Sequence, residues 1–247
     1  MKSTCTVVAS WILGSAAALL VGCSCGAPAP TAAPAIAAAP VTQLEQQAMT
    51  PDQALARLEE GNKRFTTGTS LHRDYVGEAR ASAAGQYPFA TVLSCIDSRS
   101  IPEIVFDQGI GDLFVPRVAG NYAPVDIVGS IEFATKVAGS KLVVVMGHTE
   151  CGAVKGACDN VELGNLTTVI GAIRPAVDDV QDVPGERTSK NKKFVYAVTL
   201  ANVRRTVAKL RQDSPILHEM EQSGQIKIVG AVQDLATGEV TFMSWAQ

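Results

Sequence analysis

Lys141-Leu142-Val143-Val144-Val145-Met146-Gly147-His148-Thr149-Glu150-Cys151-Gly152 is the stretch that decides the fold. Its unbroken apolar run leaves no polar face, as in a strand covered on both sides within a parallel sheet. The run ends at a histidine, and a cysteine and a glycine follow where helical pattern resumes. A second stretch of the same design lies upstream: residues 89–94 are an apolar run leading directly into Cys95-Ile96-Asp97-Ser98-Arg99. In open parallel sheets ligands bind beyond the carboxyl ends of strands, and Cys95 and His148 both fall there. Cys95, Asp97, His148 and Cys151 together offer two thiolates, a carboxylate and an imidazole, the ligand types of a tetrahedral zinc site. Arg99 stands two residues from the carboxylate, close enough to pair with it.

Working outward, strand and helix signals alternate. Thr50-Pro51-Asp52 opens a helix, with Thr50 as cap and Pro51 suited to the first turn. Ala54, Leu55, Leu58 and Phe65 follow at helical spacing, with Gly61 and Gly68 loosening its end. Residues 113–118 read as a strand, 125–138 as a helix, and 163–180 as a helix broken near Pro175. Residues 192–211 form a long amphipathic helix carrying Val195, Val198, Val203, Val207 and Leu210. The last strands are 226–232 and 240–245, joined by a turn at Thr237-Gly238. This alternation predicts an α/β fold with a mostly parallel central sheet flanked by helices.

The N-terminal part carries a different message. Residues 7–21 have the length of a signal-peptide apolar core and are short for a membrane span. Leu20-Val21-Gly22-Cys23 resembles a bacterial lipobox, in which Cys23 is lipidated and becomes the mature N-terminus. Residues 1–22 are then a lipoprotein signal peptide, 23–49 an alanine- and proline-rich tether, and 50–247 the folded domain. The expected location is outside the cytoplasm, lipid-anchored to a bacterial membrane on its periplasmic face or at the cell surface. An ordinary secretory signal cut nearby is the alternative. A formal charge of −3 with no basic stripe sets nucleic acid aside as a partner. In an oxidising compartment Cys95 and Cys151 have a disulfide as their alternative fate. A disulfide needs neither His148 nor Asp97, whereas a metal site uses both. Cys158 reads as a small buried residue.

The chemistry-bearing segments match a known family. Cys95-x-Asp97-x-Arg99 with His148-x-x-Cys151 resembles the zinc signature of the β-class carbonic anhydrases. Leu58-Glu59-Glu60-Gly61-Asn62-Lys63-Arg64-Phe65 is similar to that family's N-terminal helix. Phe114-Val115-Pro116-Arg117-Val118-Ala119-Gly120-Asn121 resembles its second strand and following turn, and Gly129-Ser130-Ile131-Glu132-Phe133-Ala134 its next helix. The resemblance runs from about Thr50 to the C-terminus. It implies the β-carbonic anhydrase fold and one Zn²⁺ per chain, held by Cys95, His148 and Cys151. It further implies reversible hydration of carbon dioxide to bicarbonate and a proton by attack of a zinc-bound hydroxide. Asp97 is implied as a conditional fourth ligand and, when held by Arg99, as a catalytic acceptor that orients the hydroxide. Gln86, just before the first zinc-bearing strand, and the Gly152 amide at a helix start are implied to bind substrate. A homodimer or tetramer is implied as well. Where some members carry a tryptophan in an inhibitory bicarbonate site, this chain has Val92, so that site is expected to be missing. The remaining histidines, His72 and His218, read as surface residues, which leaves the proton carrier unassigned. The rivals are a hydrolase of carbonyl sulfide or carbon disulfide on the same scaffold, and a non-catalytic lipoprotein with a structural zinc or a disulfide.

Overall fold

A computed structural model describes residues 39–243. The signal peptide, Cys23 and most of the tether lie outside the described residues, as does Trp245. Parallel pairing organises the remainder. Five strands, β1 (Ala90–Leu93), β2 (Leu113–Phe114), β3 (Leu142–His148), β4 (Lys227–Gln233) and β5 (Val240–Phe242), form one sheet in the order β2-β1-β3-β4-β5. All neighbours are parallel except β4 and β5. The helices are α1 (Gln43–Ala48), α2 (Pro51–Thr66), α3 (Tyr75–Ser82), α4 (Pro102–Val105), α5 (Val125–Glu132), α6 (Gly152–Cys158), α7 (Leu166–Asp179), α8 (Lys192–Asp213) and α9 (Pro215–Gln222).

The two-faced burial read from β3 is present. Leu142, Val144 and Met146 point into one core with Ala54 and Leu58 of α2, Val105 and Phe106. Val143 and Val145 point into the other, against Val128 and Ile131 of α5, Val203, Val207 and Leu210 of α8, and Leu217 of α9. Side chains alternate across a strand, so a strand that is apolar at every position needs a layer on each face. A third cluster, formed by α6, α7 and the first half of α8, packs Val154, Ile173 and Phe194 around Cys95 and Cys151.

Several local readings shift. Thr50 caps α2, with Gln53 completing a reciprocal capping box. Gly61, however, lies inside this helix: a side-chain carbon there would overlap the Phe106 carbonyl, so its role is close packing. Gly68, at φ +69°, does mark the end. Residues 113–118 yield only a two-residue strand, because Pro116 has no N–H for the ladder. The chain nonetheless stays alongside β1, with a Ser94–Arg117 bridge. The helix read over 125–138 changes into a π-helical turn at Phe133–Val137. Pro175 sits inside an unbroken α7.

The packed structure also includes residues before Thr50. Thr42 caps α1, Val41 is buried in the first core cluster, and its N–H donates to Asp112 Oδ1 at 3.0 Å. Gln46, 4% exposed, donates from Nε2 to the carbonyls of Pro88 and Ala138, each at 2.8 Å. Part of the segment read as tether is therefore a strap across the sheet. Gln46→Leu strands two buried carbonyls, and equilibrium urea unfolding is expected to show a loss of about 1–3 kcal/mol.

Candidate metal centre

β1 and β3 are direct neighbours, with Leu93 level with Val145. Cys95 lies two residues beyond the first position, and His148 ends β3 three residues beyond the second. Parallel pairing thus delivers both to the same edge of the sheet. Cys151 arrives through a tight turn in which Glu150 takes φ +60°, an uncommon conformation for a residue with a side chain. It is the residue from which α6 starts.

The three candidate ligands converge. The Cys95 and Cys151 sulfurs and a His148 nitrogen lie within 4.8 Å of one another, and all three residues are buried. The sulfurs are 4.0 Å apart and unbonded. Ligands about 2.3 Å from a tetrahedral zinc stand about 3.8 Å from each other, so this spacing fits the ion. His148 is 0% exposed. Its Nδ1 lies 2.8 Å from the Thr149 carbonyl, which makes Nδ1 the protonated nitrogen. Nε2 is then a lone-pair donor with no hydrogen-bond partner among the described residues. A buried acceptor left open between two thiols is what a metal cation would satisfy.

The electrostatics point the same way. The Cys151–Cys95 hydrogen bond, outweighing burial, brings the Cys95 thiol down to about 4, helped by His148 and by the Gly120 N–H 3.3 Å from the sulfur. The same hydrogen bond and burial push Cys151 up. The two shifts run in opposite directions, so Cys95 is the sulfur that more readily presents a thiolate. Burial pulls the His148 imidazole down, but the neighbouring Cys95 sulfur, the Thr149 carbonyl and the nearby Asp97 charge leave it raised. The pocket rewards positive charge, whether a proton on His148 or a metal ion. Cys158, buried in the third core cluster, is pushed up to about 11 by desolvation and is not among the three converging donors.

Asp97 and Arg99 pair as their spacing suggests. Arg99 donates from its backbone N–H (3.0 Å) and Nε (2.9 Å) to Oδ1, and from Nη2 (2.8 Å) to Oδ2. These bonds hold the Asp97 carboxyl well below the usual carboxylate range despite some desolvation. Oδ2 is 4.0 Å from His148 Nε2, so Asp97 borders the donors while turned toward Arg99.

Two other expected residues fare differently. Gly152 opens α6 beside Cys151, and a side-chain carbon there would meet nothing within 4 Å among the described residues, so their packing does not demand glycine. Gln86 is exposed and precedes β1, while Cys95 follows β1. It lines a cleft with Val41, Ser82 and Tyr87. The strand separates it from the metal donors of its own chain. His72 and His218 are both exposed and belong to other parts of the surface. Sequence reading assigned no role to Arg117, whose guanidinium donates to the Cys95, Asp97 and Ser100 carbonyls. Its only signal was its place in the segment 114–121.

The fold and site together define an α/β protein with a buried Cys₂His cluster of the kind that could hold a metal ion. Comparison with known proteins gives the family. Residues 90–240 match the family model described as carbonic anhydrase. Over 191 residues the chain is 38% identical to carbonic anhydrase 2 of Mycobacterium tuberculosis, covering 76% of this chain and 90% of that protein. A β-carbonic anhydrase structure from Aspergillus fumigatus superposes with a TM-score of 0.59 at 25% identity, over 79% of this chain and 91% of that one. One of two tetrameric β-carbonic anhydrases from Sordaria macrospora superposes at 0.56 with 25% identity, over 66% of this chain and 83% of that one. The chain belongs to the carbonic anhydrase family, in its β class.

Proposed function

We propose that this chain hydrates carbon dioxide reversibly to bicarbonate and a proton, with one Zn²⁺ held by Cys95, His148 and Cys151. The observation that carries the reading is the open Nε2 lone pair of buried His148 facing two unbonded sulfurs. Zinc held there would supply Lewis acidity, which brings the ionisation of a bound water down to about 7. The protein's own part is orientation. Asp97, kept ionised by Arg99, is an acceptor at the rim of the donor cluster. There it takes the hydrogen bond of the nucleophile and aims its lone pair at the carbon. Rotated away from Arg99, the same carboxylate would join Cys95, His148 and Cys151 as a conditional fourth ligand and close the site. The space beside Gly152 admits substrate to the first turn of α6. Asp97→Ala is expected to keep one zinc per chain and to lose about 10–100-fold in stopped-flow CO₂ hydration; an undiminished rate refutes the role given to Asp97.

Gln86 serves the site of a second copy in this reading, because β1 keeps it from its own. The tetrameric relative supports a homo-oligomer. Each of Gln86→Ala and His148→Ala is expected to be weak alone, and their co-assembly to recover part of the activity. No recovery on mixing argues that Gln86 does not act across subunits.

Export and anchoring rest on the lipobox at Leu20-Val21-Gly22-Cys23. Acyl chains on Cys23 would tether the enzyme to the membrane, on the periplasmic face or at the cell surface. Cys23→Ser should move the protein out of the membrane fraction, and a variant that stays membrane-bound rules out the lipid anchor.

A further inference from the structure

Arg117 is outside the donor cluster, yet it grips the backbone that carries half of it. Its Nε donates to the Cys95 carbonyl at 2.8 Å, and its Nη2 to the carbonyls of Asp97 at 2.7 Å and Ser100 at 3.0 Å. Those carbonyls span residues 95–100, the loop that bears one sulfur donor, the conditional carboxylate and Arg99. The other end of Arg117 is fixed by the sheet. Ser94 N–H donates to the Pro116 carbonyl, and Val118 N–H donates to the Ser94 carbonyl, each at 3.1 Å. Just beyond, the Gly120 N–H reaches the Cys95 sulfur, and the Gly120 carbonyl is held by Asn202 Nδ2 of α8 at 2.7 Å. The loop thus sits on a template made by residues 116–120, and Arg117 is the only side chain of that template to bond it at several points. Charge-assisted bonds from a planar fork fix the relative positions of the carbonyls they join. A lysine ammonium, a point donor, does not reproduce that geometry.

The clamp bears on the choice Asp97 faces. Its Oδ2 is 4.0 Å from His148 Nε2, a short displacement from the donors. What opposes that displacement at the side chain is Arg99, which is 58% exposed, and exposed ion pairs are weak restraints. The backbone restraint is the stronger one: the Asp97 carbonyl takes both Arg117 Nη2 and the Ser100 N–H at 3.1 Å. We propose that Arg117 is a positioning residue that holds residues 95–100 so that Asp97 stays turned to Arg99 and out of the metal donor set. This rests on the carbonic anhydrase reading of the site. When the clamp is lost, the loop relaxes, Asp97 enters the donor set, and the open arrangement is depleted.

The test uses the full chain loaded with Co²⁺, whose visible absorption reads its ligand set. Arg117→Met and Arg117→Lys are compared with wild type and with Arg205→Met, which breaks a distant ion pair to Asp179. Arg117→Met should bind one cobalt per chain with a changed spectrum, and the change should vanish when Asp97→Asn is added. With zinc, kcat should fall by about tenfold or more while KM moves little, with Arg117→Lys intermediate and Arg205→Met unchanged. An Arg117 variant that binds cobalt with the wild-type spectrum overturns the proposal, as does a spectral change that persists with Asp97→Asn. Should Arg117→Met fail to fold, Arg117→Lys decides by the same spectral comparison. A wild-type chain that takes up no cobalt overturns the metal reading itself, and the role of Arg117 with it.

Discussion

The parallel pairing of β1 with β3 is the constraint on which the site depends. Side by side, with Leu93 level with Val145, these strands end within reach of each other. Cys95 and His148, 53 positions apart in the chain, become neighbours without a dedicated loop to join them. A one-residue slip of β1 against β3 would exchange the faces of Val92 and Leu93, which lie in different core clusters. The register is therefore enforced by two hydrophobic layers at once. The metal donors inherit their precision from that packing, and ligands on sheet ends hold geometry better than ligands on loops.

The buried donor set imposes a second condition. Two sulfurs in contact beside an imidazole with an open lone pair make a poorly satisfied interior when left alone, and buried polar groups without partners are costly. A cation resolves this. The Asp97–Arg99 pair lies at the exposed rim and contributes little to holding the fold. The three bonds from Arg99 keep the carboxylate ionised and turned toward the guanidinium. The loop that presents it is braced from the residues following β2, which ties the short edge of the sheet to the chemistry at its centre.

Much of this was legible in the chain. β3 announced itself as a strand apolar on both faces, and α8 by Val195, Val198, Val203, Val207 and Leu210, all buried as their spacing implied. Cys95, His148, Cys151 and the Asp97–Arg99 pair were legible because metal chemistry accepts few residue types and sheet ends are where such sites form. The π-helical turn at Phe133–Val137 and the continuity of α7 through Pro175 were not, since local pattern does not report how neighbouring layers compensate a displaced hydrogen bond. The strap at Val41 and Gln46 looked like tether because its anchors, Asp112, Pro88 and Ala138, are remote in sequence.

The sequence by itself determined the fold class, the donor types and which strand ends would carry them, because these follow from periodicity and from coordination chemistry. Only the tertiary structure decided the rest. It turned Asp97 toward Arg99 while leaving it 4.0 Å from His148, placed Gln86 at the far end of β1, and set Arg117 across the carbonyls of the 95–100 loop. The reason is physical: a side chain's identity is local, but its partner is chosen by strand order and register, which join residues that the chain keeps apart.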